Sequence, residues 1–247
     1  MKPAAEDAPS LGKFLALRTS LSRRAAIAAV RVGRVRLDGA VVTEPASRVG
    51  EGSRVELDGV PVAGEVFRPL RYYMLNKPRG FVCSSADPHA EKLAVDLLPV
   101  EPNVRLFSAG RLDKESEGLL IFSNDGDYVE ALSHPRNRVL KRYRVEVTRP
   151  MTEAELARIR AGIVDDGEML RVIEVIPRGG CVYEFVLNEG RKREIRRLTA
   201  AVGAPTVGLR RFAVGGLELG SLPVGECREL TPEERRLSLL SAPVPEK

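Results

Sequence analysis

The chain has 247 residues, of which 43% are apolar and 30% charged, which is typical of a soluble globular protein of one large or two smaller domains. Three widely spaced cysteines and two histidines argue against a disulfide framework or a zinc site, and no apolar run approaches the length of a membrane span. The 39 basic and 34 acidic residues leave a net charge of +5, which permits a polyanionic partner without establishing one.

The first part of the chain predicts a small separate module. Leu11 begins an apolar helical face, and Ser22 is a suitable N-cap for a second helix that ends at Gly33. Short alternating strands follow, and two Asp-Gly turns separate them. We predict a flexible tail over 1–10, a domain over 11–63 and a linker over 64–70.

The rest of the chain predicts a mixed α/β or α+β domain over 71–240, followed by a tail over 241–247. Strands are predicted at 72–78, 119–122, 139–147, 169–176 and 181–187. Helices are predicted at 127–134, 152–161 and 191–202 and from Thr231 onward. In the segment KRYRV the residues alternate, so that Tyr143 and Val145 share one face of their strand.

The N-terminal module carries charge of one sign. Residues 8–37 contain no acidic residue but seven basic ones, namely Lys13, Arg18, Arg23, Arg24, Arg31, Arg34 and Arg36. A helix surface that only contacts solvent normally carries charges of both signs, whereas a surface that is positive throughout is suited to binding a phosphate backbone. We therefore interpret Lys13, Arg23, Arg24 and Arg34 as RNA contacts. The segment LGKFLALRTSLSRRAAIAAVRVGRVRLDGAVV resembles the S4 RNA-binding domain, in which two helices and the next strand grip structured RNA.

Three further segments resemble one enzyme family. GRLD, followed by a polar stretch and SEGLLIFSNDG, is similar to the catalytic motif of the pseudouridine synthases, in the subfamily that modifies ribosomal RNA. YYMLNKPRGFVCSS resembles the first strand of that subfamily, and LNEGRKREIRRLTAAVG resembles its later basic motif. The resemblance implies an α+β chain: a small N-terminal RNA-binding module and a catalytic domain with a bent, mixed, largely antiparallel sheet flanked by helices.

The resemblance also implies three catalytic residues. Isomerising uridine to pseudouridine calls for a carboxylate that attacks the ribose or the uracil ring, or that stabilises the detached base, and Asp113 is at that position. Arg196, the first arginine after Ile195, would pair with Asp113 and orient it. Tyr143 would stack on the flipped base and take part in proton transfer, although a core tyrosine with its hydroxyl at the edge is the alternative interpretation.

Seven more residues are interpreted as substrate contacts. Each is a polar or basic residue beside a motif, and together they predict a basic cleft for RNA: Arg111, Lys114, Asn76, Lys77, Arg191, Arg193 and Arg197. Lys114 could equally be a solvated side chain.

The resulting expectation is an isomerase that needs no cofactor or metal and acts as a cytoplasmic monomer on ribosomal RNA or on a ribosome assembly intermediate, without a membrane. The alternative is a non-catalytic RNA-binding assembly factor on the same fold, which would have no need of Asp113. The first strand resembles relatives acting on small-subunit RNA and the basic helix resembles those acting on large-subunit RNA, so the target uridine stays open.

Overall fold

The computed structural model describes residues 8–19, 21–62, 69–84, 92–99 and 104–240. The chain divides into two compact units, residues 1–69 and 70–247. The predicted C-terminal tail, residues 1–7 of the predicted N-terminal tail and residues 64–68 of the predicted linker lie outside the described residues. Residues 8–10 differ from the tail prediction, because the backbone of Pro9 accepts a hydrogen bond from Val49 and Ser10 bridges to Arg48.

The N-terminal unit packs two helices against a four-stranded antiparallel sheet. Its elements are α1 (Leu11–Arg18), α2 (Arg23–Arg31), β1 (Val35–Leu37), β2 (Ala40–Val41), β3 (Val55–Leu57) and β4 (Val60–Pro61), with the strand order β2-β1-β3-β4. The hydroxyl of Ser22 accepts a hydrogen bond from the Ala25 amide, as the N-cap prediction requires. Leu11, Leu15 and Val30 are fully buried and form the centre of this unit's core.

The second unit is built on a nine-stranded sheet and a separate two-stranded hairpin. The strands are β5 (Tyr72–Lys77), β6 (Phe107–Ala109), β7 (Glu117–Ser123), β8 (Lys141–Val147), β9 (Ile163–Asp165), β10 (Glu168–Leu170), β11 (Glu174–Pro177), β12 (Val182–Leu187), β13 (Thr206–Val214), β14 (Leu217–Glu218) and β15 (Cys227–Glu229). Strands β9 and β10 form a separate hairpin. The main path of the large sheet runs β11-β12-β8-β13-β7-β5-β15, with β14 beside β13 and β6 beside β7. Only β7 and β13 pair in parallel among the strands of the described residues, so the predicted mixed, largely antiparallel α+β fold is confirmed.

Four helices accompany the sheet, namely α3 (Gly126–Ser133), α4 (Glu153–Ala161), α5 (Glu194–Ala201) and α6 (Pro232–Leu239). Thr152 and Thr231 each form the capping box that the sequence predicts. Both faces of β7 are buried: Leu120 and Phe122 belong to one apolar core, and Leu119 and Ile121 belong to the other. Burial on both faces explains why this strand is a continuous apolar run rather than an alternating one.

Two predicted elements differ from the observed ones by more than two residues. The strand predicted at 169–176 is two strands, because residues 168–170 pair with β9 whereas 174–177 pair with β12. The helix predicted from residue 191 begins at Glu194, because Arg193 adopts a left-handed backbone conformation with a φ of 53°. No helix in the described part of the chain is long and apolar enough to cross a membrane.

Candidate active site

The loop between β6 and β7 presents Asp113 at the edge of the large sheet. Leu112 is buried in the core and anchors the loop, while its neighbour Asp113 is half-buried and Arg111 and Lys114 are exposed. The loop starts at Gly110, whose φ of 79° is a conformation that favours glycine. A carboxylate therefore stands between two exposed cations on a loop that the apolar core holds in place.

Lys77 binds the backbone of this loop through its buried side chain. Its ammonium donates hydrogen bonds to the carbonyls of Pro78 (3.0 Å), Asp113 (3.2 Å) and Ser116 (2.7 Å), which matches the three donors of a lysine. Desolvation is the largest influence on the Lys77 ammonium and lowers its pKa. The prediction that Lys77 contacts RNA is wrong for this conformation, since the side chain is fully buried and its donors are used within the protein.

Asn76 is likewise a structural residue rather than a cleft residue. Its side chain is fully buried, and its amide nitrogen donates to the carbonyl of Leu222 at 2.7 Å. Both Asn76 and Lys77 lie on β5, a strand whose last five residues are all buried. The polar side chains of these two residues suggested that they are exposed, but the strand that carries them lies inside the sheet, between two other strands.

Asp113 and Tyr143 line one cleft of about 270 Å³. Tyr143 lies on β8 with 8% of its surface exposed, on the buried face that the alternation in the sequence predicts. Four exposed basic residues also line the cleft, namely Arg111, Arg191, Lys192 and Arg193. The fold thus brings a carboxylate and an aromatic ring, which are 30 residues apart in sequence, to one basic cavity.

Arg196 lies on α5 and reaches the Asp113 loop by a different contact from the predicted ion pair. Its guanidinium donates to the carbonyls of Glu115 (3.0 Å) and Thr206 (3.4 Å). No ion pair joins it to Asp113 among the described residues, but the two groups interact electrostatically, and that attraction partly offsets the lowering of the Arg196 pKa by burial. In this conformation Arg196 therefore braces the loop and lies within electrostatic range of the carboxylate.

The basic segment before α5 is organised by a buried carboxylate. Glu194 is 3% exposed and accepts hydrogen bonds from the backbone amides of Arg191 (3.0 Å) and Arg171 (3.4 Å). Burial is the largest influence on this carboxyl and raises its pKa. Arg191 also approaches Glu189 at 3.4 Å, whereas Arg193 is exposed at the cleft. Glu194 thus holds Arg191 at the rim through the backbone.

Arg197 and Arg34 are engaged by acidic residues that are distant in sequence. Arg197 donates to a carboxylate oxygen of Glu168 at 2.6 Å and to the carbonyl of Asp165 at 2.6 Å, and it also forms an ion pair with the Asp165 carboxylate. Arg34 binds Asp58 through two hydrogen bonds, and the hydrogen bond is the main cause that lowers the pKa of Asp58. Each arginine already has a carboxylate partner, so an RNA contact, which remains a prediction at both positions, would compete with that ion pair.

The remaining predicted RNA contacts of the N-terminal unit are placed at its surface. Arg23 and Arg24 are exposed in the first turn of α2, and Lys13 is partly exposed on α1. These positions are compatible with phosphate contact, which remains a prediction.

Sequence reasoning missed two buried cations in the cleft. Lys141 is 7% exposed and Arg211 is 1% exposed, and both line the same cavity as Asp113 and Tyr143. Lys141 could have been found from its position two residues before Tyr143, which puts both side chains on one face of β8. Arg211 lies on β13, a strand that the sequence patterns did not predict.

Comparison with known proteins agrees with this geometry. Residues 71–201 match the family model described as RNA pseudouridylate synthase, and residues 11–55 match the S4 domain. Among relatives, the chain is 34% identical to the ribosomal small subunit pseudouridine synthase A of Escherichia coli, over 91% of this chain and 97% of that one. It is 31% identical to the ribosomal large subunit pseudouridine synthase B of Bacillus subtilis, over 94% of this chain and 96% of that one.

A solved structure described as that of a pseudouridylate synthase superposes with a TM-score of 0.68 at 28% identity, over 93% of this chain and 99% of the other. The family models match parts of both units, and residues 71–201 include the Asp113 loop, Tyr143 and the basic segment before α5. The chain belongs to the RNA pseudouridine synthase family, whose members are isomerases.

Proposed function

We propose that this protein isomerises a specific uridine of ribosomal RNA to pseudouridine, with Asp113 as the nucleophile. The observation that carries the proposal is that Asp113 and Tyr143 line a single cleft together with exposed arginine and lysine side chains. A polyanionic substrate is attracted to such a rim, and the flat ring offers a stacking surface for a base that has left its helix. The names of the two relatives support ribosomal RNA as the substrate class.

The chemistry requires no net addition or loss of atoms. A carboxylate oxygen of Asp113 attacks C1′ of the ribose while the bond from C1′ to N1 breaks, and the electron pair stays on the uracil. The base rotates, C5 attacks C1′, and the carboxylate leaves. The proton lost from C5 is replaced by one gained at N1, so the product is an isomer of the substrate.

Three parts of the structure support this role for Asp113. Lys77 holds the backbone of the loop on one side and Arg196 holds it on the other, through the carbonyls of Ser116 and Glu115. A nucleophile fixed in this way loses little further freedom when it reacts. Tyr143, held by its strand, supplies a rigid surface in the same cleft.

The test combines base mapping with an isosteric variant. Pseudouridine mapping of both ribosomal RNAs, with and without the gene, should lose one or more sites when the gene is absent. Asp113→Asn keeps the shape of the side chain, and we expect it to abolish restoration of those sites while RNA affinity changes less than about threefold. Unchanged maps without the gene, or full activity of Asp113→Asn, would contradict the proposal.

Relatives named for each ribosomal subunit match this chain at similar identity, so the comparison does not favour one ribosomal RNA over the other. The same maps identify which ribosomal RNA is modified. The cytoplasm, where ribosomal RNA is found, is the location that the proposal implies. Size-exclusion chromatography would test the prediction of a monomer.

A further inference from the structure

Two cations at the floor of the cleft have no role in the function proposed above. Lys141 and Tyr143 are two residues apart on β8, so their side chains lie on the same face of that strand. Tyr143 is directly opposite Arg211 of β13 in the antiparallel register. The guanidinium carbon of Arg211 is 6.0 Å from the centroid of the Tyr143 ring. The three side chains therefore share one face of two neighbouring strands and line the same cleft as Asp113.

The backbone around Arg211 fixes its position. Its Nε donates to the carbonyl of Leu119 at 2.8 Å, and a Cβ built on Gly110 would lie 3.9 Å from its Nη1. Arg211 also pairs with Gly118 in the parallel register between β13 and β7. The side chain is thus held against both ends of the loop that contains Asp113.

The charges of Lys141 and Arg211 have no ion-pair partner in the part of the chain that the structure describes. Among the described residues, no carboxylate forms an ion pair with Lys141 or Arg211, and Nη2 of Arg211 is buried without a hydrogen-bond partner. The ammonium of Lys141 has one long hydrogen bond, to the carbonyl of Val139 at 3.3 Å. Burial, and next the nearby charge of Arg211, lower the pKa of Lys141 to about 8. Two desolvated cations side by side are costly unless an anion joins them.

We infer that Lys141 and Arg211 form a subsite for the carbonyl oxygens of the flipped uracil and stabilise the negative charge that the base acquires during isomerisation. This inference rests on the proposed function, because it is the departure of the base from C1′ that leaves an electron pair on the uracil. That charge is shared by the ring and its carbonyl oxygens. Buried donors aimed at developing charge stabilise a transition state far more than donors in water do.

Depth distinguishes the base from a phosphate as the occupant. The exposed cations Arg111, Lys192 and Arg193 are at the rim, where a phosphodiester with its two flanking sugars can approach. Lys141 and Arg211 are less than one-tenth exposed, so only a flat group that enters the cleft can reach them. The flipped base is the part of the substrate with that shape.

The test compares two leaving bases with and without the cation. Fluorine at C5 lowers the pKa of uracil, so a 5-fluorouridine target needs less stabilisation than a uridine target does. Fluorine also blocks the last proton loss, and the reaction is therefore followed as disappearance of the target nucleoside after nuclease digestion. Single-turnover rates are measured on an RNA fragment that contains the uridine identified by mapping.

We expect Lys141→Met to slow the uridine reaction about 100-fold, the usual cost of removing one such donor, and the 5-fluorouridine reaction less than about 10-fold. Lys141→Arg keeps the charge and should recover part of the lost rate. The matched control is Arg158→Met, which removes one exposed cation from α4 of the same unit and should change neither rate. RNA affinity and its salt dependence should be the same for Lys141→Met and the native protein.

Equal losses with both targets would overturn the subsite and leave Lys141 a structural role. A weaker affinity with a shallower salt dependence would also overturn it, in favour of a phosphate contact. Failure of the native protein to convert any uridine would overturn the proposed function together with the subsite, so the two failures are distinguishable.

Discussion

Gly118 allows strands β7 and β13 to meet, and its replacement by alanine is the sharpest test of how the cleft is built. Its φ is 105°, and a Cβ at this position would lie 2.1 Å from the carbonyl oxygen and 2.9 Å from the amide nitrogen of Arg211. Both of the atoms that would be contacted belong to backbone, so no side-chain rotation relieves the clash. In Gly118→Ala the two strands must separate at the residue pair that positions Arg211.

The expected cost has two parts. The positive φ costs a residue with a Cβ about 1–2 kcal/mol, and forcing extra volume into a packed interior costs about 1–3 kcal/mol. We therefore expect Gly118→Ala to lower the free energy of unfolding by about 2–5 kcal/mol. Activity should fall further than stability alone explains, because Arg211 moves away from the cleft floor.

The chain offers a convenient probe and two matched controls. It has no tryptophan, and its five tyrosines all lie in the second unit, so tyrosine fluorescence during urea unfolding reports on that unit alone. Gly179→Ala has a similar φ of 98° but open space around the new Cβ, and should show only the conformational part of the cost. Gly126→Ala lies at the start of α3 with nothing within 4 Å, and should be neutral or slightly stabilising. Equal free energies of unfolding for Gly118→Ala and Gly179→Ala would refute the argument from close strand contact.

Two further predictions concern charge. Lys141→Met should stabilise the folded protein at pH 7 by about 2 kcal/mol, since a pKa lowered to about 8 corresponds to a penalty of about 3 kcal/mol and the lost hydrogen bond offsets about 1 kcal/mol. Because the pKa of Lys141 is lower in the folded state than in the unfolded state, the stability of the native protein recovers as pH rises above 8. The stability gained by Lys141→Met, measured by urea unfolding, should therefore shrink by about 1 kcal/mol at pH 9. A gain that is independent of pH would contradict this titration. In the N-terminal unit, Arg24→Gln should reduce the slope of log affinity against log salt by about 0.7, whereas Arg34→Gln should change it less because Asp58 already pairs with that arginine. Equal changes in the two slopes would show that the Arg34–Asp58 pair opens when RNA binds.

Features that depend on near neighbours in sequence could be predicted. Ser22, Thr152 and Thr231 cap helices through contacts within four residues, and the apolar run from Leu119 to Phe122 forms a strand buried on both faces. The residues around Asp113 are contiguous in sequence, and they predicted a polar loop ahead of a buried strand, as the structure has it. Local patterns of this kind keep their meaning whatever the rest of the chain does.

Features that depend on distant partners could not be predicted. Lysine is rarely buried, and no residue near Lys77 in sequence indicates its place inside the protein, where carbonyls from two segments accept its hydrogen bonds. Arg34 and Arg197 looked free because Asp58 and Asp165 lie 24 and 32 residues away. Arg211 was missed because β13 mixes glycine, arginine and apolar residues with two register shifts, which hide the alternation of a strand.

The parallel pairing of β7 with β13 has a consequence for how activity arises during folding. This pairing spans two residue pairs, and it joins the strands β11, β12, β8 and β13 to the strands β7, β5 and β15. Asp113 precedes a strand of the second set, while Tyr143, Lys141 and Arg211 all belong to the first. Neither set of strands carries both the carboxylate and these other residues of the cleft, so a partly assembled sheet lacks the site that the proposed function requires. The rate at which activity appears during refolding would therefore report how fast these two sets of strands dock, rather than how fast either set forms.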